Sequence, residues 1–199
     1  AFLIKKESSL YKAVDALTTK NNKRWGVLLQ DDLPISDHDI QGAIIEIESA
    51  QNQSFKTHVD NINRTQSRQS RLARSAVFRH QVCSEYGYRC AVSGLSIMTP
   101  QDFFEVEAAH VVPVNVGGVN DVRNGLALSQ SLHWAFDHGL FGITDSRKIH
   151  IPRQVLMLPR NAYLHQFQGK SITNATISNH DLHVEATQWH MENRVRMWE

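Results

Sequence analysis

Apolar positions along the chain change spacing in a way that marks out its elements. Leu10, Ala13, Val14 and Leu17 recur with helical spacing, so residues 9–20 are expected as a short amphipathic helix capped by Ser8 or Ser9. RWGVLLQ (24–30) reads as a buried strand and DDLP as a turn. Ser36 followed by Asp39 has the form of a capping box with Asp in place of Glu, and the helix it starts runs through IQGAIIEIESA. Residues 51–70 are polar and nearly free of core positions, which fits either a linker or a long exposed helix. Arg64, Arg68, Arg71 and Arg74 would line one face of such a helix. That stripe is either a solvated surface or a phosphate-facing one.

The pattern changes from Val77 onward. FRHQVCSEYGYRCAVSG predicts a helix ending near Gly87, a short strand, and a turn at Ser93-Gly94. EVEAAHVVPVNVGG (105–118) is β-branched and then broken by Pro113 and Gly117-Gly118. A loop (NVGGVNDVRNG), a second strand and a helix (LSQSLHWAFDHG) follow, with Gly139 placed as a C′ stop. GLFGITDSRKIHIP alternates like a hairpin with Asp145-Ser146 near its turn. Helices are expected around NAYLHQFQGK and DLHVEATQWHMENRVRM. The fold class is therefore α+β, with residues 1–75 a mostly helical region of unassigned role and 76–199 a second domain with a C-terminal extension.

Composition and charge refine this only locally. Hydrophobic residues make up 41% and charged residues 21%, enough for a globular core and against wholesale disorder. No apolar run approaches the roughly 18 residues that a membrane-spanning helix needs, so no membrane partner is expected. The opening AFLIKK has the wrong order for a secretion signal. The chain begins at Ala1, which leaves a trimmed initiator and a piece of a longer protein both open. The net charge of +1 points to no partner, but Lys56 to Arg89 carries seven basic residues against two acids. That local excess suits a polyanion. Cys83 and Cys90 are the only cysteines, and their spacing matches no zinc knuckle, so a reducing, cytoplasmic home is the default.

Candidate chemistry sits between residues 105 and 139. His110 ends the first strand, Asn124 lies in the loop, and His133 and Asp137 share one helix face a turn apart. An imidazole and a carboxylate so placed can bind one divalent ion, and Mg²⁺, Mn²⁺, Ni²⁺ and Zn²⁺ all accept such ligands. Each residue alone has an ordinary explanation: a core histidine, a surface pair, a loop cap. Their order on a strand-loop-strand-helix scaffold weakens those explanations.

The segment from about 77 to 155 resembles the HNH endonucleases, whose core is a ββα-metal finger. It is similar to a restriction-type subgroup with an EAAH-I-x-P strand, an NGL loop and an LH-x3-D-x-G-L helix, present here as EAAHVVP, NGL and LHWAFDHGL. GKSI and the WH of QWHMEN resemble, more loosely, the end of such domains. The resemblance implies a ββα-metal nuclease core that hydrolyses DNA to 5′-phosphate and 3′-hydroxyl ends. It implies His110 as general base, a role that an unperturbed imidazole near pKa ~6.5 suits. His133 would be a ligand to a single divalent metal ion, Mg²⁺ first, and Asp137 would hold the second helix-ligand position. Asn124 would hold the loop and orient His110. Ala109 departs from the pattern, because many relatives carry a metal ligand there. Glu107 either fills that role from one step further back or pairs with Arg123 or Arg89. Cys90 stands alone, so no structural zinc is expected and Cys90 is placed in the core.

DNA contacts are expected from Arg64, Arg68 and Arg71 and from Arg147 and Lys148, giving affinity without sequence readout. The biological setting implied is restriction or another defence. A secreted antibacterial toxin DNase with an immunity protein as partner is the alternative setting. A non-catalytic DNA-binding module and an RNase are the alternatives in chemistry. An RNase would want exposed aromatics, and Trp134 beside His133 is instead expected in the core. A homodimer is left open.

Overall fold

The computed structural model describes residues 35–58 and 68–199. The helix expected over 9–20, the strand over 24–30 and Arg64 lie outside the described residues. Helix α1 (Asp37–Gln51) starts where the capping pattern places it, with the Asp39 N–H donating to Ser36 Oγ at 3.1 Å. Ile40, Ala43, Ile44 and Ile47 form its buried stripe. That stripe packs on α2 (Arg68–Glu85), whose own buried face includes Ala73, Val77, Phe78 and Val82. Burying each large aliphatic side chain contributes on the order of 2 kcal/mol, which is what holds so polar a pair of helices together.

The division expected at residue 75 falls inside α2, so one continuous helix runs from the arginine stripe into the second region. Arg74 does not share the stripe's exposed face. Its guanidinium is buried and pairs with Glu46 of α1 at 3.3 Å.

The C-terminal half of α2 lies against a two-stranded antiparallel sheet of β1 (Glu107–His110) and β2 (Gly125–Leu128). The register sets His110 opposite Gly125. That glycine is required by close approach, since a Cβ there would drive into Val82 and crowd Phe78. β2 is buried along its whole length. A loop with two 3₁₀ turns, Val114–Val116 and Val122–Asn124, joins the strands. Helix α3 (Gln130–Asp137) follows β2 and ends as expected at Gly139, in the left-handed region at φ 67°. The Gly139 N–H donates to Phe136 O and the Leu140 N–H to Ala135 O, the paired bonds of a Schellman turn.

The hairpin is present as β3 (Gly142–Ile143) and β4 (Ile149–His150). Short helices α4 (Arg153–Leu156) and α5 (Ala162–His165) follow. The last helix, α6 (Val184–His190), continues through a π-turn, Met191–Val195, and a final 3₁₀ turn.

Two local expectations are corrected. The short strand after Gly87 does not form. Cys90 N–H instead donates to Leu95 O and Gly94 N–H to Cys90 O, making a compact turn. Trp134 is 59% exposed, because α3 turns Leu132, Ala135 and Phe136 inward and position 134 falls on the opposite side. Cys90 is fully buried, as expected of a small core residue. The architecture is α+β, and no helix among the described residues is long and apolar enough to cross a membrane.

Candidate active site

His110 ends β1 with its ring face to face on Phe78 of α2, the centroids 3.8 Å apart. Its Nε2 lies 2.9 Å from Asn120 Oδ1. An amide oxygen only accepts, so Nε2 carries the proton and Nδ1 keeps its lone pair. Burial lowers the imidazole pKa to about 4; the Asn120 bond works in the opposite direction and the His133 charge lowers it further. The ring is therefore neutral near pH 7, with both its plane and its tautomer set by neighbours.

Asn124 is fully buried and fastens the loop. Its Oδ1 accepts from Val112 N–H at 2.8 Å, while its Nδ2 donates to Val112 O at 3.0 Å and Val119 O at 2.9 Å. Every hydrogen-bonding position of the amide except one acceptor lone pair is thus used on backbone. The clamp reaches Val119, directly before the Asn120 that meets His110. Arg123 closes the loop from outside. It pairs with Asp121 at 2.7 Å and donates to Ala50 O at 2.8 Å and Gln53 O at 3.0 Å, tying the loop to the end of α1.

The two acids before His110 divide their work. Glu105 Oε1 accepts the Gln130 N–H at 2.7 Å and caps α3, whose own Ser129 makes no side-chain cap. Glu107 Oε2 meets His133 Nδ1 at 2.9 Å. The His133 hydrogen bond holds the Glu107 carboxyl below the usual range against the opposing effect of burial, with the nearby charges of His133 and Arg79 assisting. Glu107 pairs with neither Arg123 nor Arg89. The first is engaged by Asp121, and the second reaches Gly94 O.

On the other side of the same ring, His133 Nε2 faces Asp137 Oδ2 at 3.5 Å. The Glu107 carboxylate accepts a hydrogen bond from Nδ1–H, which keeps the proton on that nitrogen, so in the neutral imidazole Nε2 is a lone pair turned toward a second acceptor. Two acceptors in that position suit a cation between them. Glu107 lies on the opposite nitrogen, and among the described residues no group of three or more His, Cys, Asp and Glu side chains is arranged to hold a metal ion. The donor set fits a hard divalent ion that keeps most of its ligands as water or phosphate oxygen, and does not fit a closed structural zinc.

A cleft of about 200 Å³ opens beside these groups. His110, Pro113, Asn115, Asp137, His190 and Arg194 line it. His190 is buried, stacked on Phe136 with centroids 3.8 Å apart, and hydrogen-bonded to Phe136 O through Nε2 at 3.0 Å. Burial lowers its pKa to about 4, and the Arg194 charge pushes the same way.

The structure brings His110 and Asp137, both singled out in the sequence, to one cleft, and adds Phe78, Asn120, His190 and Arg194, which were not singled out. Only the WH of QWHMEN carried any signal for these. Among the residues expected to touch DNA, Arg68 and Arg71 are exposed on α2 and Lys148 is exposed in the hairpin. Arg147 is half-buried and turned onto the protein itself, donating to Asp181 at 3.2 Å and to Leu182 O at 3.4 Å.

Residues 90–144 match the family model described as HNH endonuclease. No curated protein sequence matches the chain. Among solved structures, the chain is similar to one titled "Modification dependent TagI restriction endonuclease", with 21% identity and a TM-score of 0.48. That match covers 67% of this chain and 40% of the other, so the chain spans well under half of that protein's length. The matched stretch contains both strands of the sheet, the clamped loop, the finger helix and the hairpin's first strand. Over residues 90–144, little more than a quarter of its length, the chain is thus similar to the HNH endonuclease family.

Proposed function

We propose that the protein is a metal-dependent endonuclease that hydrolyses phosphodiester bonds of DNA in restriction of foreign DNA. The observation that carries this reading is the unprotonated Nδ1 of His110, on a ring fixed by Phe78 and Asn120 in the wall of a cleft shared with Asp137. A nuclease needs such a group to take a proton from water as the water oxygen bonds phosphorus. The Nε2–H bond to Asn120 Oδ1 strengthens as the ring becomes cationic, so Asn120 stabilises the protonated base. An incoming phosphate adds negative charge beside the buried ring and raises its proton affinity toward the working pH.

His133 and Asp137 are the residues that would hold one divalent metal ion, Mg²⁺ first. When bound, that ion supplies charge neutralisation at the phosphate and the leaving 3′ oxygen. Glu107 stands behind His133, fixing its tautomer and ring orientation, and acts as a positioning residue rather than the ligand expected from its place before Ala109. Asn124 positions His110 through the loop. Arg68 and Arg71 are exposed on the same helix as Phe78, with Arg71 about 10 Å along the axis from it, and would supply contacts to flanking phosphates.

The test is plasmid cleavage with Mg²⁺ or Mn²⁺, with and without EDTA, for the natural chain and for His110→Ala. Cleavage that EDTA stops and His110→Ala abolishes, with the variant still folded, is the expected result. Undiminished cutting by His110→Ala would remove the base assignment, and cutting of RNA alone would move the substrate.

A further inference from the structure

We infer that Arg194, delivered by the C-terminal π-turn, is the side chain that grips the scissile phosphate. The inference rests on the nuclease reading above and extends it to a residue outside the matched 90–144 segment.

Three observations converge on it. Arg194 lines the cleft that holds His110 and Asp137. Among the described residues its guanidinium has no hydrogen-bond or ion-pair partner, whereas Arg74, Arg123 and Arg147 are each committed to an acid. Its backbone is also rigidly seated. The Arg194 carbonyl lies so close to Gly139 that a Cβ there would collide with it, and Met191 and Val195 sit as closely on Gly142. His190, one turn earlier, is stacked on Phe136 and bonded to its carbonyl. Two glycines at the end of the finger helix and the start of the hairpin therefore allow the π-turn to lie against the finger. A π-turn at such a place is itself a common mark of a functional site.

The charge of the cleft points the same way. Its two histidines are held neutral by burial, and its acid is Asp137. A phosphodiester enters with one negative charge and gains a second as the water oxygen bonds phosphorus and before the P–O3′ bond breaks. The water proton goes to His110 Nδ1 and the electron pair leaves with O3′. Arg194 exchanges no proton. Its planar fork of N–H donors matches the two non-bridging oxygens, and it holds them most tightly when their charge is greatest.

Single-turnover cleavage by Arg194→Ala, Arg194→Gln and Arg194→Lys tests this, alongside binding of a duplex in EDTA across a salt series. Cleavage should fall roughly 100-fold in Arg194→Ala and Arg194→Gln and recover in part in Arg194→Lys. The slope of log K against log salt should drop by about one phosphate's worth in the two neutral variants. Melting temperatures should stay near that of the parent; if Arg194→Ala melts early, Arg194→Gln keeps the aliphatic stem and decides the matter. Neutral variants that cut and bind as the parent does would overturn the inference while leaving the nuclease reading intact. A parent protein that cuts nothing with any divalent metal would instead defeat the nuclease reading, and the salt slope alone would then decide whether Arg194 touches phosphate.

Discussion

Replacing Asn124 with alanine removes three hydrogen bonds from a site with no solvent access. The Val112 N–H, Val112 O and Val119 O lose their partners at 2.8, 3.0 and 2.9 Å. A buried backbone group left unpaired costs about 1–3 kcal/mol. Water can enter the small hole that the shorter side chain leaves and satisfy part of the loss, so the net destabilisation should be about 2–4 kcal/mol. With an m-value near ~2 kcal/mol/M, the urea midpoint should fall by about 1–2 M at constant slope. Asn124→Asp sharpens the test. It is nearly isosteric, but it sets a carboxylate oxygen against two carbonyls that now receive an N–H, and it should cost at least as much as alanine. Cleavage should fall with stability in both variants even where they remain folded, because the loop carries Asn120 to His110. A midpoint within 0.5 M of the parent (an order-of-magnitude bound of about 1 kcal/mol), or an aspartate variant milder than alanine, would refute the clamp.

Other outcomes follow from the same geometry. Glu107→Gln should weaken divalent-metal binding by roughly 10- to 100-fold in calorimetry, since a neutral amide holds the His133 ring less firmly; unchanged affinity would release Glu107 from its positioning role. His110 and His190 both have pKa values lowered to about 4, so the unfolded chain takes up protons below about pH 6.5 that the folded chain refuses. Stability should therefore decline as pH falls from about 6.5 toward 4, by up to about 3 kcal/mol per histidine, and equal urea midpoints at pH 7.5 and pH 5 would contradict this. The acid limb of kcat/KM, which reports the free protein, should likewise lie well below the pH ~6 that an unperturbed histidine would give, whereas the limb of kcat should lie higher because bound phosphate raises the proton affinity of His110. Gly125→Ala should destabilise by about 1–3 kcal/mol through its clash with Val82, and adding Val82→Ala should restore part of the loss; two purely additive penalties in thermal melts would argue against that contact.

What the sequence reveals of the site is what lies close together along the chain. The Ser36 cap, the Gly139 stop, the hairpin and the order of strand, loop, strand and helix all depend on spacings of a few residues, and spacing is visible in a sequence. Trp134 was readable too, since Leu132, Ala135 and Phe136 already define a buried face that excludes it. Arg147 and Arg194 show where such reading stops. Both are arginines in polar surroundings. One is neutralised by Asp181 and the other faces an open cleft, and only the path of the chain through later helices separates them. Phe78 reaches His110 from another helix, and Asn120 sits in a loop with no periodicity to place it. The expectation that Glu107 substitutes for a ligand at Ala109 came from alternation along one strand, which does not tell which nitrogen of the His133 ring the carboxylate meets.

The stack of His110 on Phe78 also bears on how such domains are exchanged between proteins. A segment cut at residues 90 and 144 would carry His110, Asn124, His133 and Asp137 to a new host, yet leave behind the ring on which the His110 imidazole is stacked and the π-turn whose Arg194 lines the cleft. The smallest transplantable unit is therefore larger than the recognisable motif, running from α2 to the end of the π-turn. Hosts that received less would have to evolve a substitute for Phe78 before the borrowed histidine had an orientation.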